Sequence, residues 1–230
     1  QAIKSPGVNS LDRLAQDSKG ALRLRCGSSF GAVWTVAQIG QRLGIDKALG
    51  VTHQAELAYW QVLSRVLQPA VSLLAMVRLA AGCAAASVLN WTRPFTEDHL
   101  YKNGSWLVGR QPIIQRRLWE QRPEAPQSGQ LFLYDVTSSY LEGQHNVLGD
   151  WGYNRDGKKG KQQVVVGLLT DAVGEPCAVQ VYQGNTSDLK TFAGQVRTVQ
   201  KDFRCQGVTL VGDRGMIRAP QMAQAGQAGF

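Results

Sequence analysis

Histidine and cysteine are scarce: three histidines and four cysteines occur in 230 residues. Cys26, Cys83, Cys177 and Cys205 contain no Cys-x-x-Cys pair, and His53, His99 and His145 are equally scattered. That spacing excludes an ordinary zinc site. Unpaired cysteines without a basic-then-apolar leader fit a reducing compartment, so a cytoplasmic protein is expected. Neither Gly-x-x-x-x-Gly-Lys-Ser/Thr nor Gly-x-Gly-x-x-Gly is present, and nucleotide-binding readings lack their signature. The most membrane-like stretch, Pro69 to Leu89, is dominated by Ala and carries Arg78 at its centre. It reads as a core helix, and no membrane partner is expected. Acidic residues are also few, 17 against 25 basic ones, giving a net charge of +8. A polyanion such as nucleic acid is the partner that such a balance favours.

Hydrophobic residues make up 43% of the chain, enough for a real core. Residues 1–20 are polar and read as an arm or a truncated element. Residues 21–125 follow the helical period. Val33, Val36, Ala37, Ile39 and Leu43 recur at three and four, and Leu57, Trp60, Leu63, Val66 and Leu67 form a second stripe stopped before Pro69. A third helix is predicted from Val71 to about Leu89 and a fourth from about Leu107 to Trp119. The segment 121–130 holds two prolines and no periodicity, and the domain boundary is placed there. From 126 to 230 the pattern changes to strands over 131–140, 163–169 and 176–182, with Asp171 to Gly174 as a hairpin turn. A helix follows over 188–202, capped by Ser187 or Asn185, then a strand over 208–211 and a last helix from Pro220. Strand-strand-strand-helix-strand is the start of a ribonuclease-H-like mixed sheet, so the fold class is α/β with an all-α N-terminal region. The start at Gln1 and the stop inside a helical pattern suggest a fragment.

Two carboxylates stand out within that order. Leu131-Phe-Leu-Tyr-Asp135 and Val208-Thr-Leu-Val-Gly-Asp213 each end an apolar run on an Asp. Such runs read as central strands buried on both faces, where a carboxylate costs several kcal/mol unless it is paired or metal-bound. In the predicted topology the first and fourth strands are parallel neighbours, which brings together two residues 78 positions apart. Hard oxygen donors of this kind suit Mg2+ or Mn2+ and phosphoryl transfer. The plainer reading is that Asp135 ends a strand and Asp213 pairs with Arg214.

The loop from Gly149 to Lys161 interleaves Trp151 and Tyr153 with Arg155, Lys158, Lys159 and Lys161. Cations hold phosphates and aromatic rings stack on unpaired bases, although a solvated basic hairpin has the same composition. Gly27-Ser-Ser29-Phe-Gly31 matches the Gly-x-Ser-x-Gly nucleophile elbow. Only one weak strand precedes it and helices follow, so these serines read instead as caps for a helix starting near Ala32.

Several ordered blocks carry a family likeness. Asp135-Val-Thr-Ser-Ser-Tyr140-Leu-Glu-Gly143, Gly152-Tyr-Asn-Arg-Asp-Gly-Lys-Lys-Gly-Lys-Gln162, Val165-Val-Gly-Leu-Leu169, Gly184-Asn-Thr-Ser-Asp188 and Val211-Gly-Asp213-Arg-Gly-Met216 resemble the DDE transposases of bacterial insertion sequences, in particular the insertion-sequence-four superfamily. Phe30-Gly-Ala-Val-Trp34, Leu43-Gly-Ile45 and Trp106-Leu-Val-Gly-Arg110 are similar more loosely. The resemblance implies a ribonuclease-H-like core, two Mg2+ or Mn2+ ions, and DNA cleavage and strand transfer. Asp135 would be the first acid and Asp213 the second, both catalytic and metal-holding. Arg155, Lys158, Lys159, Lys161 and Arg214 would contact DNA, and the helical region would help bind element ends. Expected partners are double-stranded DNA in the form of terminal inverted repeats and target DNA, with a homodimer as the acting form. The family's third acid, a Glu in a Tyr-Arg-Glu-Lys signature, does not occur here, so the chain taken alone is expected to be inactive. Alternatives are a non-catalytic DNA-binding relic of a decayed element and a ribonuclease-H-like nuclease acting on another nucleic acid.

Overall fold

The computed structural model describes residues 27–91, 93–122, 130–143, 145–153 and 160–213. The N-terminal arm, most of the expected linker, and the expected last helix lie outside these residues. Five short or medium helices come first: α1 (Gly31–Arg42), α2 (Ile45–Leu49), α3 (His53–Leu67), α4 (Leu73–Gly82) and α5 (Ala85–Val88). The long α6 (Glu97–Glu120) then leads to β1 (Leu131–Tyr140), β2 (Gln163–Asp171), β3 (Pro176–Gln183), α7 (Asp188–Arg197) and β4 (Thr209–Gly212).

The predicted helix over 71–89 is two helices, because the chain breaks at Cys83 and Ala84, where Cys83 is fully extended. The fourth helix begins at Glu97 instead of near Leu107. Its start is fixed by a reciprocal box in which the Thr96 hydroxyl accepts from the backbone of His99 and Thr96 N donates to His99 Nδ1 at 3.1 Å. Serine capping fails in two places: Phe30 is the N-cap of α1, and Ser187 caps α7 by position without a side-chain hydrogen bond. Caps that do work are Thr52, accepting from Ala55 N at 3.2 Å, and Ser72, accepting from Ala75 N at 3.2 Å.

The helical core gathers Val33, Ala37, Leu57, Trp60, Leu63, Met76 and Leu100. Several of its buried polar groups are satisfied internally, as burial requires, while Asp46 Oδ1 is buried without a hydrogen-bond partner. Trp60 Nε1 donates to Met76 O at 3.1 Å, and Tyr59 Oη to Ala37 O at 2.8 Å. Asn103, fully buried on α6, accepts from Gln61 Nε2 at 2.8 Å and donates to Gln54 O at 2.7 Å. Burial, reinforced by the nearby Asp46 carboxylate, pushes the Tyr59 hydroxyl up to about 12.

The four strands form one sheet in the order β3-β2-β1-β4, with β1 antiparallel to β2, β2 antiparallel to β3, and β1 parallel to β4. This is the expected mixed sheet. Between β2 and β3 the predicted turn is present, and Asp171 Oδ1 accepts from Val173 N at 3.1 Å and Glu175 N at 2.8 Å. One face packs under α7 and the π-helical turn Thr198–Asp202, where Phe132, Tyr134, Val136, Val165 and Leu169 meet Phe192, Val196, Val199 and Phe203. Gly167 admits the Tyr134 ring on this face, since a Cβ there would lie 2.2 Å from Tyr134 Oη.

α6 serves both cores. Leu100 near its start is in the helical cluster, while Trp119 near its end stacks on Phe203 at 4.9 Å within the sheet cluster. Along the way Gln111 and Gln115 donate to Val179 O on β3, at 2.6 and 2.9 Å. Just past the helix, Arg122 donates to Asp171 Oδ2 at 2.7 Å and Pro176 O at 2.6 Å. The edge strand β3 is thus tied to the helical region, which blunts an open sheet edge.

Candidate active site

Parallel pairing of β1 with β4 runs from Leu131 with Thr209 to Tyr134 with Gly212. Asp135 and Asp213 are the next residues on the two strands, so they stand side by side where the ladder ends. Both line a single cleft of about 430 Å³ with Leu133, Leu168, Thr170 and Val211. Residues 78 positions apart in sequence are therefore neighbours, as the predicted topology requires.

The expectation of a carboxylate buried on both faces is wrong. β1 alternates, with Phe132, Tyr134 and Val136 buried and Leu133, Asp135 and Thr137 exposed. Asp135 lies on the open face, and Asp213 is exposed too. Neither carboxylate carries the desolvation cost that first drew attention to it. The open face also carries apolar side chains: Leu133, Leu168, Val179, Val181 and Val211 are each between 37% and 46% exposed.

Asp135 Oδ1 accepts from Val136 N at 2.8 Å, an in-strand contact that leaves Oδ2 available. Among the described residues neither aspartate has an ion-pair partner, and no cluster of three or more His, Cys, Asp or Glu forms. Two adjacent carboxylates on parallel strands fit a hard divalent cation in kind, with oxygen donors and room for water in the remaining positions. They supply part of a coordination shell.

The other expected site residues fare differently. Arg155, Lys158, Lys159 and Arg214 lie outside the described residues. Lys161 is described, at the entry to β2, and its ammonium group pairs with the Glu142 carboxylate across the loop. Ser29 forms a backbone bridge with Cys83 inside the helical region, with no sheet beneath it, so the nucleophile-elbow geometry is absent there.

Sequence reading missed the anchoring of the loop beyond β1. Asp150 exchanges two backbone hydrogen bonds with Gln163, at 3.1 and 3.0 Å, and its Oδ2 accepts from Gln183 Nε2 at 3.0 Å and Asn185 Nδ2 at 2.8 Å. Gly152 and Gly184 permit the close approach, since a Cβ on Gly152 would lie 1.9 Å from Gly184 O. Closely spaced glycines on both sides of a strand pair were the available signal.

Residues 126–229 match the family model of the transposase DDE domain. Over these residues the chain is similar to the transposase DDE domain. The matched segment begins just before β1 and contains every strand, α7 and both aspartates. No curated protein and no solved structure matches the chain. Within the described residues no helix is long and apolar enough to cross a membrane.

Proposed function

We propose that this chain serves the metal-dependent DNA cleavage and strand transfer of an insertion sequence, with Asp135 and Asp213 as the first and second of the three catalytic acids the reaction needs; without the third, the chain alone is inactive. The single observation that carries the reading is the register: the parallel ladder ends on both aspartates at once and opens into one cleft. The blocks quoted above favour the insertion-sequence-four superfamily. Mg2+ or Mn2+ ions bound there would stabilise charge developing on the phosphate under attack. Asp135 and Asp213 hold and orient the ions, and Asp135 is kept in place by its bond from Val136 N. Arg155, Lys158, Lys159, Lys161 and Arg214 contact the DNA backbone, which positions the duplex without reading its sequence. Terminal inverted repeats and target DNA are the substrates, the helical region helps bind the ends, and a homodimer is the acting form.

Titrating Mn2+ against the chain while following its paramagnetic resonance signal tests the site. Asp135→Asn and Asp213→Asn should each abolish or strongly weaken Mn2+ uptake, while DNA binding persists with a steep salt dependence. Unchanged Mn2+ uptake in both variants would remove the assignment. Salt-dependent DNA binding without a metal site in the parent chain would instead favour the non-catalytic reading.

A further inference from the structure

The segment Asp150–Tyr153 is held from several sides, yet it displays two large rings. Trp151 is 60% exposed and Tyr153 81%. Gln163, almost fully buried, donates through Nε2 to Tyr153 O at 3.2 Å and Gly184 O at 2.9 Å, and Gly184 N donates to Leu148 O at 2.9 Å. With the Asp150 bonds to Gln183 and Asn185, these contacts fix the backbone under both rings. Beside Tyr153 is a cleft of about 280 Å³ lined by Gln163, Asn185, Thr186 and Asp188, among others. That volume takes one nucleobase. The Thr186 hydroxyl and the Asn185 amide oxygen in its lining offer hydrogen-bond partners to a base edge.

Position narrows the partner further. β1 continues five residues past Asp135 to Tyr140, whose partner Gln163 pairs in turn with Asp150. At strand spacings this puts the platform roughly 20 Å from the carboxylates. The carboxylates sit on the open face of the sheet, whereas Gln163 and Val165, which line the cleft, belong to the α7 face. A strand reaching both must turn around the end of the sheet. A single strand can do so over this distance; a duplex, with a persistence length of about 150 base pairs, cannot without strong kinking.

We propose that Trp151 and Tyr153, with the adjoining cleft, form a stacking site for an unpaired nucleotide of the DNA strand engaged at Asp135 and Asp213. This rests on the reading of those aspartates as a DNA-processing centre and adds that the DNA is locally single-stranded roughly 20 Å away.

Fluorescence anisotropy with the 230-residue chain provides the test, comparing a labelled blunt duplex with the same duplex carrying a single-stranded tail. A tail of about eight nucleotides suffices to span roughly 20 Å. The tailed duplex should bind about tenfold more tightly, the size expected of a stacked base. Trp151→Ala and Tyr153→Ala should each bring tailed binding down towards the blunt value, and Trp151→Phe should keep most of the preference. Both rings are exposed, and circular dichroism checks that the variants fold. Equal binding of the two DNAs by the parent, or a preference that survives both alanine variants, overturns the stacking site and leaves the aspartate reading standing. If the chain binds neither DNA, the aspartate reading falls and this one with it.

Discussion

Asp135→Asn should stabilise the chain in the absence of divalent metal and leave it less stable than the parent once metal is added. Asp135 and Asp213 continue adjacent parallel strands, which are about 4.8 Å apart, so their carboxylates meet at roughly 5 Å. In water two like charges at that separation repel by about 0.8 kcal/mol, and salt and exposure reduce this to around 0.5 kcal/mol. Asn keeps the Oδ1 acceptor for Val136 N, so little else is lost. Without metal the variant should therefore melt about 1–2 °C higher, given the usual 2–4 °C per kcal/mol at this chain length.

Metal reverses the order. At ten times its dissociation constant, Mg2+ bound only to the folded parent contributes about 1.4 kcal/mol, or some 3–5 °C, and the variant with one carboxylate gains almost none of it. Differential scanning calorimetry with and without Mg2+ reads both arms. A variant less stable than the parent without metal would show that the two carboxylates do not face each other. Equal stabilisation of both proteins by Mg2+ would show that the ion binds elsewhere.

Two further perturbations probe the scaffold under the site. Gly167→Ala places a Cβ 2.2 Å from Tyr134 Oη, beside Asp135, and overpacking of this kind costs about 1–3 kcal/mol. The Tyr134 hydroxyl is buried without a hydrogen-bond partner, so Tyr134→Phe should be tolerated and should relieve part of the Gly167→Ala cost in a urea-denaturation double-mutant cycle. Additive costs would mean that the ring and the glycine do not meet. Cys177 is the pH probe: burial pushes its thiol up from 9.0 to about 11, with the Arg122 guanidinium opposing and Asp171 reinforcing. A raised value means that the folded state holds its proton longer, so its stability contribution is intact below pH 9 and declines from there through pH 11. Cys177→Val should flatten the urea midpoint across that window, and an unchanged slope would exclude the thiol as its source.

The pairing of Asp135 with Asp213 was legible because it depends on strand order alone. A hairpin turn at Asp171 to Gly174 makes β2 and β3 antiparallel, and a helix between β3 and β4 makes β4 parallel to β1, whatever the side chains do. The burial of Asp135 was not legible. Leu131-Phe-Leu-Tyr is apolar at both parities, so the run by itself cannot distinguish a strand covered on two faces from one covered on α7's side only. Helix limits failed for a related reason. Gly104, Gly109 and Pro112 interrupt the pattern of α6, and tertiary contacts override them: Leu100 and Asn103 are held in one core and Trp119 in the other. In the Ala-rich stretch from 73 to 88 Gly82 is a local stop signal directly before the break at Cys83, and the apolar pattern continues through it to Leu89. The Asp150 network joins residues up to 35 positions apart through side-chain amides, contacts that no local pattern encodes. Local pattern therefore located the carboxylates and the two rings, and only tertiary structure revealed what holds the backbone under the rings. That division makes physical sense: where β1 and β4 end is written in strand order, whereas the hold on residues 150–153 is made by contacts between distant segments.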